Sequence, residues 1–256
     1  MYYDSRRRNW YENRPWQKPI RKERIGFHNM TGEEIRLGKF VDRVQYGVEL
    51  STGKSVLHIG CTGGDRSQDP KDSVHAKLHR VARECVGIDI LDEQIARFKS
   101  HGYDVLVADA EDFRLPKKDF DIIYAGEVIE HLSNPGLFLV CANQHLVHSG
   151  KIVLTTPQPL TFWRFMMMVV ADKYLQPHGG HVCWYDPFLL ARLLERNGFK
   201  VMECHPSGLR DCGIIERTLI RFRKKLAPEF VILATKKSES CLEDARAITK
   251  ESQVTV

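Results

Sequence analysis

Glu127, Glu130 and His131, in the run GEVIEHL, are the residues whose spacing points most directly to chemistry. Offsets of three and four place them on one face of a short helix. A neutral imidazole near pH 7 can take a proton from an acceptor hydroxyl, so His131 is a candidate general base. His181, in the loop HGGH ahead of Trp184, is the second candidate, and His178 in the same loop a weaker one. The plainer reading is that His131 bonds a backbone group and His181 shapes its loop. A second constellation lies upstream. VLHIGCTGGD is an apolar strand running into a glycine turn, and after a helix-length segment CVGIDI ends near Asp89. Gly60, Gly63 and Gly64 let a ligand approach the backbone, and a carboxylate at the tip of the second strand can accept hydrogen bonds from both ribose hydroxyls. That arrangement suits a ribonucleotide.

The glycine spacing narrows which one. A pyrophosphate fingerprint needs its second glycine two residues after the first, and Thr62 occupies that place. Downstream, DVLVADAEDF ends a strand at Asp109 and Ala110, where a carboxylate and adjacent backbone can hold an adenine; FDIIYAGEVIEHLSNPGLFL and GKIVLTTPQPL then follow in order. With these in sequence, the chain resembles the class I S-adenosylmethionine-dependent methyltransferases. EVIEHLSNPGLFL, LTTPQP and HVCWYDPFLLARLLERNGF are similar to the branch that methylates small molecules, sugars and lipids. The resemblance covers about residues 53–237. It implies S-adenosylmethionine as cofactor, a small-molecule, glycan or lipid acceptor, and methyl transfer to oxygen or nitrogen. It assigns cofactor contacts to His58, Gly60, Cys61, Thr62, Asp89, Ile90, Asp109, Ala110, Gly126 and Glu127, and catalysis to His131 and His181.

Two positions depart from the family pattern: His58 stands where an acidic residue is usual and Thr62 where a second glycine is usual. Glu127 is placed to substitute in part for the missing carboxylate. The same departures leave room for a catalytically silent scaffold that kept the fold. Glu127, Glu130, His131 and His181 also resemble the magnesium site of small-RNA 2′-O-methyltransferases and, less closely, of quinone-biosynthesis O-methyltransferases. Because E-x-x-E-H after this strand occurs in metal-free members too, no metal is assigned.

The elements that must position these groups follow from periodicity and caps. The reading is an α/β fold: a doubly wound, mostly parallel seven-stranded sheet with an antiparallel last strand. Thr31 and Glu34 form a capping box ahead of a helix carrying Leu37, Phe40, Val41, Val44 and Val48. Strands are expected at 55–59, 86–90, 103–108, 120–125, 151–155, 199–204 and 229–235. Helices are expected at 70–84, 91–100 and 134–146, and after Asp186–Pro187 as far as Gly198. Between the last two strands, the insert 206–228 contains IIERTLIRFRKKL, a basic amphipathic helix that caps the cleft, meets a partner or anionic membrane surface, or packs on the sheet edge. The segment 157–176, rich in Phe, Trp and Met, reads either as a lid over an apolar substrate or as core.

A length of 256 residues, 43% of them hydrophobic, suits one domain with a sizeable core. The organisation expected is a basic leader at 1–28, a methyltransferase domain at 29–237 and a polar tail at 238–256. Residues 1–24 hold eight Arg or Lys against three Asp or Glu, 8 − 3 = +5, which equals the charge of the whole chain and leaves the rest neutral. With Trp10, Tyr11 and Trp16 interleaved, the leader has the makings of a nucleic-acid contact, although a solvated leader is the plainer reading and nucleic acid is not favoured as acceptor. Seven cysteines without a C-x-x-C pair, and no opening apolar segment, point to a reducing, cytoplasmic setting. The longest apolar run, near 162–171, is about half the roughly 20 residues a membrane span requires. Oligomeric state is not legible.

Overall fold

The computed structural model describes residues 35–63, 69–116, 119–172, 179–209 and 212–237. The leader, the Thr31–Glu34 box, Gly64, His178 and the tail lie outside them. Strand β1 (Ser55–Ile59) is buried along its whole length in the interior of a seven-stranded sheet. It pairs in parallel with β2 (Glu84–Asp89) on one side and β4 (Phe120–Gly126) on the other. β3 (Val105–Val107) extends the sheet past β2, and β5 (Leu146–Pro157) extends it past β4, both in parallel. β7 (Glu229–Lys236) lies antiparallel between β5 and β6 (Phe199–Ser207), giving the order β3-β2-β1-β4-β5-β7-β6. Strand order reverses between β1 and β4, so the carboxyl ends of these two strands open the crevice where such sheets bind ligands.

Alternation along the strands builds two apolar layers. Leu57 and Ile59 of β1, with Ile123, Ala125, Ile152, Leu154 and Ile232, face helices α4 (Pro135–His145) and α6 (Pro187–Arg196). Val56, Ile122, Tyr124, Val153 and Val231 face α1 (Arg43–Ser51) and α2 (Val74–Val81). A smaller cluster of Cys61, Ile95, Phe98 and Val105 seats α3 (Asp92–Ser100). Asp186 caps α6 through the Phe188 and Leu189 amides, as the Asp-Pro pair implies.

Several boundaries differ from the sequence expectation. Among the described residues the first helix begins at Arg43, because the Asp42 carboxylate accepts from the Val44 and Gln45 amides and caps it there. Residues 35–42 run along the outer edge of β6 instead, the Gly38 and Val41 amides donating to the carbonyls of Cys204 and Pro206. The expected helix 70–84 divides into a 3-10 turn, Pro70–Asp72, and α2, whose cap is Ser73. β6 is longer than its apolar core because it pairs with β7 to both ends, while β5 reaches Pro157 by pairing with β7 and starts at Leu146, which pairs with Phe120 of β4. Within the apolar segment, whose residues 173–176 lie outside the described ones, α5 (Phe162–Ala171) contains no buried residue and so is not core. In the insert, α7 (Ile214–Phe222) buries Ile220 against Cys212 and Ala227 but leaves Ile214 and Phe222 exposed. Among the described residues no helix is long and apolar enough to cross a membrane.

Candidate active site

The turn after β1 is built by glycine. Gly60 and Gly63 both adopt φ of 70°, and a Cβ on Gly60 would lie 2.7 Å from the Val128 side chain. The amides of Gly60 and Cys61 are spent on the Ile88 carbonyl, which ties the turn to β2. Asp89, at the tip of β2, is held by the same turn: Oδ2 accepts from the Thr62 amide at 3.1 Å and from the Thr62 hydroxyl at 2.7 Å, and Oδ1 accepts from the Leu91 amide at 3.2 Å. Ile90, 66% exposed, stands beside it as an apolar face at the crevice. Asp109 closes the turn after β3 by accepting from the Glu111 amide, with Ala110 half-buried next to it.

Two of the assigned side chains point into the protein. His58 shares a face with Val56, is buried, and sets Nδ1 3.3 Å from Nδ1 of His75 on α2. Burial, with His75 as a second cause, lowers the His58 pKa well below the usual imidazole value, so it is neutral. The Cys61 thiol packs over Gly87 and is pushed up by burial and then by Asp89, so it stays protonated. Alternation in β1 and the close approach at Gly87 turn the His58 and Cys61 side chains inward.

After β4 the chain turns at Gly126 and Glu127, the latter in the left-handed region at φ 55°, a strained position for a residue with a Cβ. Its Oε1 accepts from the Thr155 hydroxyl and lies 2.6 Å from an Arg43 guanidinium nitrogen, while Arg43 Nε reaches Glu229 at 3.5 Å. Arg43 had no signal in the sequence; the fold brings it from α1 to the crevice.

Glu130 and His131 lie in a 3-10 turn, Ile129–His131, and their partners come from the 179–185 loop. The amides of Val182 and Cys183 both donate to the Glu130 carbonyl, which docks that loop against β4's end. His131 Nδ1 sits 2.9 Å from the Gly180 carbonyl, so Nδ1 carries the proton and Nε2 the lone pair. His181 packs edge-on to His131, with ring centroids 4.6 Å apart, and its Nε2 is 4.0 Å from Glu130 Oε1. Glu130 is 1% exposed; Oε2 accepts from the Thr156 hydroxyl, whereas Oε1 is buried without a hydrogen-bond partner. Burial, then the charge of Glu127, pushes its carboxyl up to about 8. Trp184 stands edge-on to His181 and carries the Arg164 guanidinium over its ring at 4.2 Å, linking α5 to the site. Glu130, His131 and His181 place ligand atoms within 4.8 Å of one another. Glu127 is not in that group, so the four-residue set suggested by spacing becomes three, because the left-handed turn sends Glu127 to Arg43.

A glycine turn, a carboxylate at the next strand tip and a polar cluster across the switch point define the nucleotide-binding α/β fold of S-adenosylmethionine-dependent methyltransferases. The chain belongs to the methyltransferase domain family, whose model matches residues 33–203. It is 26% identical over 163 residues to the mitochondrial ubiquinone biosynthesis O-methyltransferase of Homo sapiens, covering 58% of this chain and 42% of that one. It is 30% identical over 176 residues to the ubiquinone biosynthesis O-methyltransferase of Nitrobacter winogradskyi, covering 63% and 62%. The chain thus spans about half the length of the curated relatives it matches. Its fold is shared with a SAM-dependent methyltransferase from Archaeoglobus fulgidus, at TM-score 0.52 and 21% identity, covering 76% of this chain and 91% of that chain.

Proposed function

We propose that the protein transfers the methyl group of S-adenosylmethionine to a hydroxyl oxygen of a small-molecule, glycan or lipid acceptor. The observation that carries this is the meeting of Glu130, His131 and His181 across the crevice from the glycine turn and Asp89. The residues fit the cofactor at three points: the turn is open at Gly63, where a Cβ would meet nothing within 4 Å, Asp89 offers a ribose receptor, and Ile90 an apolar face for a purine. Asp109 and Ala110 would bound the adenine, and the Arg43–Glu127 pair offers opposite charges to the cofactor's amino-acid end. The cofactor supplies an activated methyl on a sulfonium. Positioning the acceptor in line with that methyl accounts for roughly 7–11 kcal/mol of the barrier. His131, oriented by the Gly180 carbonyl, takes the hydroxyl proton at Nε2, and His181 flanks it. The relatives, named for O-methylation in quinone biosynthesis, favour oxygen and a small acceptor.

The test is turnover on a panel of hydroxyl-bearing small molecules and lipids, with calorimetry of S-adenosylhomocysteine. His131→Ala and His181→Ala should lower turnover by about 10²–10⁴-fold while sparing cofactor affinity. Absence of binding heat at millimolar ligand would support the silent scaffold instead.

A second reading has its own observation. The buried, unpartnered Glu130 Oε1 beside two imidazoles fits a divalent cation, which would be held by Glu130, His131 and His181. Such a cation would lower the pKa of an acceptor hydroxyl. Two nitrogen donors and one oxygen suit a transition metal or zinc better than magnesium, which prefers oxygen and water.

A further inference from the structure

Two neighbouring surface elements, α5 and α7, expose large apolar side chains. α5 exposes Trp163, Phe165, Val169 and Val170, the last at 77%, and α7 exposes Ile214 at 86% and Phe222 at 76%. The two are tied together at their roots: the Gln158 side chain, just before α5, donates to the Lys225 carbonyl just after α7, and the Gln158 amide donates to Pro228. Large apolar side chains concentrated in this way on one part of a surface mark a docking region. The charge beside them is one-sided. Residues 214–226 contain Arg217, Arg221, Arg223, Lys224 and Lys225 against Glu216, 5 − 1 = +4, on a body whose residues 25–256 sum to zero. Arg221, Arg223, Lys224 and Lys225 are exposed.

We propose that the α5–α7 surface docks on an anionic lipid bilayer. Aliphatic Val169, Val170 and Ile214 have no ring to stack on a base and no polar atom to read one, so nucleic acid leaves them in water, whereas acyl chains cover them. A second copy of the chain meeting the same face about a two-fold axis would set +4 against +4. Lipid headgroups answer both features: the apolar side chains enter the interface while the arginines and lysines meet phosphates, each within a Debye length of the surface. Because Arg164 on α5 stacks on Trp184 beside His181, docking turns the acceptor side of the crevice toward the bilayer.

The experiment is sedimentation of the full chain, without cofactor or acceptor, with phosphatidylcholine vesicles containing or lacking phosphatidylglycerol. It does not depend on the proposed methyl transfer. Wild type should sediment with the anionic vesicles and be released by salt. The combination Val170→Asp, Ile214→Asp and Phe222→Asp should partition about 30-fold or more weakly. A second variant, Arg221→Glu with Arg223→Glu, keeps the apolar surface and should lose the preference for anionic vesicles; it decides the matter if the first fails to fold. Wild type remaining in the supernatant would overturn the proposal. So would undiminished binding of both variants, which would place the contact in the basic leader or elsewhere. A dimer seen by light scattering and dissolved by the aspartates, without an effect on vesicles, would give the surface to a second copy.

Discussion

In the proposed reading Asp89 receives the ribose diol, and removing the Thr62 hydroxyl that holds this carboxylate should tighten cofactor binding. Three donors already reach Asp89: the Thr62 hydroxyl at 2.7 Å, the Thr62 amide at 3.1 Å and the Leu91 amide at 3.2 Å. A carboxylate has about four lone-pair sites, so about one remains, and a vicinal diol asks for two. Of the three donors only the hydroxyl can rotate away; the amides are fixed by the turn and the strand end. A hydrogen bond to a charged group contributes about 1.5–3 kcal/mol net, and the bond that ribose must displace opposes binding by that amount. Thr62→Val keeps the shape and the amide while deleting the hydroxyl. The dissociation constant for S-adenosylhomocysteine, measured by titration calorimetry, should therefore fall by about 10- to 100-fold. Thermal stability of the ligand-free variant should drop, since the carboxylate loses a partner. Asp89→Ala in the same titration should weaken binding by at least about tenfold, because it removes the ribose receptor and unties the turn. An unchanged or weakened affinity in Thr62→Val would refute the competition.

Acid should destabilise the fold through the buried imidazole pair. Burial, then His79, pushes His75 down to about 4, against about 6.5 in the unfolded chain, so stability is full above pH 6.5 and falls toward pH 4, by about 3 kcal/mol from His75 alone. Urea midpoints should drop between pH 7 and 4.5, and less so in His75→Gln; parallel behaviour of the two proteins would argue against the pair as the cause. Gly47→Ala tests the packing of α1 on β4. A Cβ there would lie 2.7 Å from Tyr124 Cδ2, and overpacking of about 1–3 kcal/mol outweighs the helix-propensity gain of up to about 1 kcal/mol, so the melting temperature should fall. Chelation separates the two mechanisms at Glu130: with a bound cation, EDTA abolishes turnover and zinc or manganese restores it, whereas indifference to both leaves His131 acting as base alone.

Much of the scaffold was legible because its signals are local. The buried run of β1, the glycine turn and the carboxylate at the next strand tip read directly as a nucleotide site, and Asp-Pro marked α6 because an N-cap acts within one turn. His131 and His181 were legible as types, and Thr62 as a departure from pattern. What Thr62 does was not, since its hydroxyl reaches Asp89 across 27 positions of chain. The helix expected to carry Leu37, Phe40 and Val41 starts only at Arg43, because Asp42 caps it there while Gly38 and Val41 bond the edge of β6.

The sequence by itself determined the element types, the parallel order of the first strands and which residue types stand at the strand ends, because hydrophobic period, caps and glycine freedom operate over a few residues. Only the tertiary structure decided which of those groups meet. Alternation in β1 turned His58 to His75, a left-handed turn sent Glu127 to Arg43, and the loop at 179–185 brought His181 to Glu130, 51 positions away in the chain. Contacts of that kind depend on where separate elements dock, and docking is set by the shape of the whole core rather than by any local pattern.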